Sequence, residues 1–238
     1  MLELSGCKPQ KFNNFFIYKY QMNMLNRLFI KFSMYWRANT FERAYLLANV
    51  RSRLVGRLFY RRWFKYFGDR SFIKSPAQLI GTQNISIGSD VRIENGVILY
   101  AVRKYAGKNC AGSIEIGDHV YINRNFNSSA AAPILIGSHV TIATNVFICN
   151  YDHGYDYVDM PINAQPLKVH GEISIGSGSW LGANVCVLGN VSIGRHVVIG
   201  ANSVVITDIP DYSVAVGVPA RVVKRFDFDS GIWRNIKI

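Results

Sequence analysis

The sequence predicts a mainly β protein, a parallel β-helix preceded by an α-helical cap, and three observations carry that expectation. Aliphatic residues recur every six positions, glycine often follows them, and residues that tolerate a left-handed backbone stand three places after them. The clearest run is Ile175, Leu181, Val187, Ile193, Ile199 and Val205. The same beat occurs earlier as Ile87, Ile93 and Leu99, then Ile116 and Ile122, then Ile136, Ile142 and Ile148. Three places after these anchors stand Asp90, Gly96, His119, Asn125, His139, Asn145, Gly178, Asn184, Asn190, His196 and Asn202. Each hexad therefore reads as a short strand ending in a left-handed corner, and three hexads close one triangular coil with its aliphatic residues inside.

Charge divides the chain. Of 27 Lys and Arg and 15 Asp and Glu, residues 1–75 hold 15 basic and 3 acidic side chains, while residues 76–238 hold 12 of each. The net charge of +12 is therefore confined to the first third, which reads as a basic amphipathic helical segment. Within residues 12–67, Val50, Leu54, Leu58 and Phe59 fall at helical spacing with Arg51, Arg53, Arg57, Arg61 and Arg62 between them. Two helices capping the first coils are expected there. Their basic and aromatic surface also suits an anionic membrane or a polyanionic glycan, whereas no nucleic-acid-binding module is recognisable. The expected boundaries are thus a helical segment at 1–75, a β-helix at 76–225 and a tail at 226–238.

Cys7, Cys110, Cys149 and Cys186 form no C-x-x-C pair and no zinc-ligand pattern with the histidines, so no metal is expected and a reducing cytoplasm suits them. Neither an export signal nor a membrane-spanning run is visible, so a cytoplasmic protein is expected, with the inner-membrane periphery as a further option.

Chemistry in a solenoid belongs where the repeat is interrupted, since regular coils use their inward positions for packing. Interruptions are expected at 100–113, 127–133 and 149–172, the last being the longest and the richest in ionisable and aromatic residues. His119, His139 and His196 fall in corner register and read as turn residues. His170 lies where the chain re-enters the coil. His153 stands outside the repeat in N-Y-D-H-G-Y-D, between Asp152 and Asp156. Histidine titrates near neutrality, so it can take a proton from a hydroxyl and return it, with a neighbouring carboxylate orienting the ring.

The hexads, their corners and S-I-G-S-G-S-W-L-G-A-N-V together resemble the hexapeptide-repeat acyltransferase family over about residues 80–225. The resemblance implies a left-handed parallel β-helix with an N-terminal α-helical cap, assembled as a homotrimer. It also implies direct transfer from acetyl-CoA to a hydroxyl, with His153 as catalytic base and Asp152 beside it. Asn123 and Asn125 of Y-I-N-R-N-F are the implied oxyanion donors, although Asn125 is equally a corner residue. On the donor side the resemblance implies Trp180, Gly182, Ala183 and Ala201 along a pantetheine groove, with Arg221 and Lys224 of the closing V-A-V-G-V-P-A-R-V-V-K-R meeting a CoA phosphate. The large basic cap resembles that of cell-surface polysaccharide O-acetyltransferases, which implies a carbohydrate acceptor. An N-acetyltransferase on an amino sugar or antibiotic and a non-catalytic β-helix that only binds or assembles are the alternatives; a zinc enzyme would need an H-x-x-x-x-H pair that the chain lacks.

Overall fold

The computed structural model describes residues 39–236. The chain divides into two units, 1–48 and 49–238. Of the first, only 39–48 are described, and they hold a reciprocal cap: Asn39 Oδ1 accepts from the Glu42 amide at 3.0 Å, and Glu42 Oε2 accepts from the Asn39 amide at 2.9 Å. This cap starts the helix Thr40–Val55, which continues through a wider turn, Gly56–Tyr60, to Arg61–Trp63. Residues 12–38 of the expected basic segment lie outside the described residues.

The apolar stripe expected to pack on the coils does not do so. Val50, Leu54, Leu58 and Phe59 are exposed, and it is Tyr60, Phe64 and Phe67 that join the core, each ring within 5.5 Å of the others. The helix meets the coil by another face: Val55 packs against the core, Arg53 lies over the Phe72 ring at 5.4 Å, and the chain leaves the helix at Phe64.

From Tyr66 onward the chain winds into a left-handed parallel β-helix of three faces. The first face stacks Tyr66–Phe67, Ile85–Ile87, Ser113–Ile116, Pro133–Ile136, Ile173–Ile175 and Val191–Ile193 in parallel. The second runs from Phe72–Ile73 to Val198–Ile199 and is extended by Ser213–Gly217, Ala220–Asp227 and Ile232–Asn235. The third runs from Gln78–Ile80 to Val204–Val205. In the regular coil, partners are eighteen positions apart: Ile175 with Ile193, Leu181 with Ile199, Val187 with Val205. Every expected anchor is buried. Each fully buried Ile or Leu contributes about 1.5–3 kcal/mol, so the aliphatic column is what holds the coils in register.

The corners follow the residue types. Asp90, Gly96, His119, Asn125, His139, Asn145, Gly178, Asn184, His196 and Asn202 all have φ between 54° and 75°. Asn190 is the exception, because Gly189 takes the positive φ there, at 91°. Asn125, Asn145, Asn184 and Asn202 form a ladder along one edge, each amide donating to the next carbonyl at 2.9–3.1 Å. His119 and His139 stack at 4.8 Å along another.

Three boundaries differ from expectation. The coil begins at Tyr66, ten residues before position 76. The segment at 127–133 is no projecting interruption: Asn127–Ala130 is an ordinary strand, with Ser128 in the inward place, and Asn150 holds the corner after it. Asn150 is fully buried, accepts from the Ala131 and Ala132 amides at 2.9 and 3.3 Å and donates to the Ala132 and Pro133 carbonyls at 2.9 and 3.2 Å. The segment after 225 is no tail either, since Ala220–Asp227 and Ile232–Asn235 pair antiparallel.

Candidate active site

Two segments do leave the coil, and both leave at the corner between the third and first faces. The earlier one folds as a hairpin of Lys104–Tyr105 against Lys108–Asn109. The later one runs out along Tyr151–His153 and returns along Leu167–Val169, paired antiparallel, so it is a two-stranded arm. Inside the arm Gln165, only 1% exposed, ties the tip together. Its Oε1 accepts from the Tyr157 amide at 3.0 Å, and its Nε2 donates to the Tyr157 and Met160 carbonyls, both at 2.8 Å. Gly154 is needed where the strands cross closest: a Cβ there would stand 2.4 Å from the Pro166 carbonyl oxygen.

His153 projects from the outgoing strand at the rim of a groove of about 540 Å³ on the outer side of the third face. Tyr100, Asn127, Ser129 and Tyr151 line this groove with Asp152 and His153. The Tyr151 hydroxyl is 2.7 Å from Ser129 Oγ; burial pushes this phenol up, against the lowering effect of that hydrogen bond. The result is an aromatic and hydroxyl-rich floor beneath an imidazole, suited to a polar, ring-shaped ligand. A larger groove of about 630 Å³ lies on the first face, lined by Ser86, Glu115, Leu135, Ser174 and Ser192 among others. It contains no histidine or cysteine, and the ion pair in its lining, Arg195 with Asp211, offers a guanidinium that cannot take a proton near neutral pH, so the smaller groove is the candidate site despite its size.

The side chains expected at the site separate into those that meet and those that do not. Asp152 does not orient His153. Successive residues of a strand point to opposite sides, and Asp152 Oδ2 instead pairs with His170 Nε2 at 2.7 Å. The partner of His153 is Tyr105, from the hairpin: its hydroxyl lies 3.2 Å from Nδ1 and its ring meets the imidazole edge-on at 5.5 Å. No spacing in the sequence points to Tyr105, which is 48 positions away. Its hydroxyl also donates to the Asn163 carbonyl at 3.0 Å, joining hairpin and arm.

Asn123, Asn125, Gly182, Ala183 and Ala201 lie at a different corner, between the second and third faces, stacked over one another by the pairing of Ile122, Ile142, Leu181 and Ile199. Asn125 is taken by the asparagine ladder, and Asn123 Oδ1 accepts from the Arg124 amide at 2.8 Å. Gly182 has a packing reason of its own, since a Cβ would meet the Ala201 amide nitrogen at 2.6 Å. Trp180 faces outward on the second face and is half exposed. Arg221 and Lys224 are exposed on the closing strand. One chain therefore holds His153 and these donor-side residues a full face apart.

Comparison with known proteins settles the family. Residues 172–207 match the model described as bacterial transferase hexapeptide (six repeats), and residues 80–101 match hexapeptide repeat of succinyl-transferase. WbbJ of Escherichia coli, by name a lipopolysaccharide biosynthesis O-acetyl transferase, is 31% identical over 193 residues, covering 78% of this chain and 91% of that protein. The chain belongs to the hexapeptide-repeat transferase family. A Mycobacterium tuberculosis protein, an acetyltransferase by name, is 41% identical over 113 residues, covering 48% of this chain but only 37% of its own. Among solved structures, AntD, an N-acyltransferase from Bacillus cereus in complex with dTDP and 3-hydroxybutyryl-CoA, shares the fold with a TM-score of 0.59 at 22% identity, over 71% of this chain and 87% of that one.

Proposed function

We propose that this family member is an acetyl-CoA-dependent O-acetyltransferase that modifies a carbohydrate hydroxyl of a cell-surface polysaccharide or its precursor, with His153 as general base. The observation that carries the proposal is the placing of His153, by a stapled two-stranded arm, over a groove floored by Tyr100, Asn127, Ser129 and Tyr151. The name of WbbJ, whose length the chain nearly spans, supports both the transferred group and the surface-glycan class. In the reaction, neutral His153 takes the hydroxyl proton as the acceptor oxygen attacks the thioester carbonyl. The tetrahedral intermediate then collapses, the C–S bond breaks, and the imidazolium returns its proton to the departing CoA sulfur. Transfer is direct, and no acyl-enzyme forms.

Separation of His153 from Trp180, Gly182, Ala183 and Ala201 by a whole face suits a homotrimer in which one copy supplies the base and its neighbour the pantetheine groove, with Arg221 and Lys224 as phosphate contacts. Asn123 shares the donor corner, where a side-chain amide could stabilise the oxyanion of a neighbour's reaction. Cys110, Cys149 and Cys186 are free thiols, which suits work in the cytoplasm, and no helix among the described residues is long and apolar enough to cross a membrane. The exposed stripe of Val50, Leu54 and Leu58 beside Arg51, Arg53 and Arg61 is a surface that an anionic membrane or glycan would fit.

The test is acetyl-CoA turnover against a panel of surface glycans, comparing wild type with His153→Ala. Acetylation that alkali removes from the product, and that disappears in the variant, is the expected result. An alkali-stable amide would move the reading to N-acetylation, and unchanged turnover in the variant would overturn it.

A further inference from the structure

An imidazole takes a proton only through its bare nitrogen, and which nitrogen is bare depends on what the other one meets. The Tyr105 hydroxyl stands between two partners, His153 Nδ1 at 3.2 Å and the Asn163 carbonyl oxygen at 3.0 Å. A carbonyl oxygen only accepts. Were the phenolic proton turned toward Nδ1, two oxygens 3.0 Å apart would face each other with lone pairs and no proton between them. The proton therefore lies toward Asn163, the hydroxyl offers a lone pair to the ring, and Nδ1 must bring the hydrogen. Among the described residues Nε2 has no hydrogen-bond partner.

We infer that Tyr105 is a positioning residue that holds neutral His153 as its Nδ1–H tautomer and leaves Nε2 bare to receive the acceptor's proton. The inference rests on the reading of His153 as the base and assigns a task to the first insertion, whose hairpin carries Tyr105 across the corner to the arm. Three segments of two insertions meet at this hydroxyl: the hairpin, and from the arm the outgoing strand Tyr151–His153 and the short turn Ile162–Ala164. The edge-on ring contact, with planes 63° apart, limits the tilt of the imidazole as well. The arrangement survives the whole cycle. When Nε2 gains the acceptor's proton, Nδ1–H still donates to the same oxygen, and when Nε2 passes that proton to the CoA sulfur nothing else has to turn. A carboxylate in this place would favour the imidazolium by its charge; a neutral phenol orients the ring without doing so.

The test is the tautomer itself. Long-range 1H–15N spectra of the full chain, with the His153 signals identified by their absence in His153→Ala, are recorded above the pH at which the ring becomes neutral. The expected wild-type result is a protonated Nδ1 and a bare Nε2. In Tyr105→Phe, which keeps the ring, the signals move toward the Nε2–H form favoured by a free histidine side chain, and kcat falls about 10-fold with little change in the KM for acceptor, the size expected for one net hydrogen bond. A wild-type spectrum with Nε2 protonated overturns the inference, as does a tautomer unaltered in Tyr105→Phe. The spectra need neither donor nor acceptor, so the two claims fail separately. Full activity in His153→Ala would remove the catalytic reading, while an inactive His153→Ala combined with a wild-type Nε2–H ring would remove only the role of Tyr105. Should His153→Ala fold poorly, His153→Gln serves the same identification, and the tautomer itself is read on the wild-type chain.

Discussion

Replacing Gln165 by Ala should loosen the arm and leave the coils alone. The side chain is buried and makes three hydrogen bonds, at 3.0, 2.8 and 2.8 Å, to backbone groups of Tyr157 and Met160. At about 0.5–1.5 kcal/mol net for each, the set is worth about 1.5–4.5 kcal/mol to the closed arm. Tyr157 and Met160 are themselves exposed, so water takes over part of the loss, and a value in the lower half, about 2 kcal/mol, is the working figure. That corresponds to a roughly 30-fold rise in the open population, because 1.4 kcal/mol is tenfold. Hydrogen exchange is the assay: peptides covering 154–166 should exchange about 30-fold faster in Gln165→Ala, while the strand Ile173–Ile175 keeps its wild-type protection. Unchanged exchange in the arm, or coils that loosen with it, would refute the claim that Gln165 is a local staple.

Three further outcomes are expected. Ser128 Oγ is buried between Leu99 and Ile148 and has no hydrogen-bond partner among the described residues, so Ser128→Ala should stabilise by about 1 kcal/mol and raise the melting temperature by about 2–4 °C; a fall would contradict it. Burial raises the Cys149 thiol above its usual range, so mass-spectrometric labelling with a thiol reagent at mildly alkaline pH should modify Cys110 and Cys186 well before Cys149, and equal rates would count against the burial described here. The Arg70 guanidinium, donating from Nε at 2.7 Å, holds the Asp90 carboxyl below its ordinary value. A depressed folded-state value stabilises above the unfolded pKa of about 3.9 and is lost as pH falls through the folded one. Asp90→Asn should therefore melt below wild type near pH 6, with the gap narrowing as pH falls below the unfolded value and lost as it falls through the folded one; a gap independent of pH would refute the linkage.

The coil was legible because one inward aliphatic residue every six positions, and one Asn, Asp, His or Gly in each left-handed corner, are direct demands of the geometry. Phe67 and Ile73 keep the same beat as Leu79, yet the aromatic and basic residues around them read as helix, so the first two strands of the coil fall within the expected cap at 1–75. Ser128 broke the pattern for a different reason: it is six places after Ile122 and points inward, but it is polar. The arm was visible as an interruption, and His153 as one of the two histidines, with His170, that the repeat does not explain. The partner of His153 was not visible. Asp152 was adjacent in sequence, but adjacency on a strand sends two side chains to opposite sides, and that argument required knowing that 151–153 is a strand. Tyr105 reaches His153 only because two insertions leave the same corner one above the other, a relation no local spacing encodes. The donor-side residues were named from family resemblance, and a single chain keeps them away from His153.

Two histidines stand on the arm, each with a hydrogen-bond partner, and the proposed base is His153. Single-turnover transfer from acetyl-CoA, measured side by side in His153→Ala and His170→Ala with an accepted glycan, tests this most directly. A positioned general base is worth about 10²–10⁴ in rate, so His153→Ala should lose that much while His170→Ala, which breaks only the pair with Asp152, stays within about tenfold of wild type. The reverse order would place the base at the Asp152–His170 pair and contradict the account.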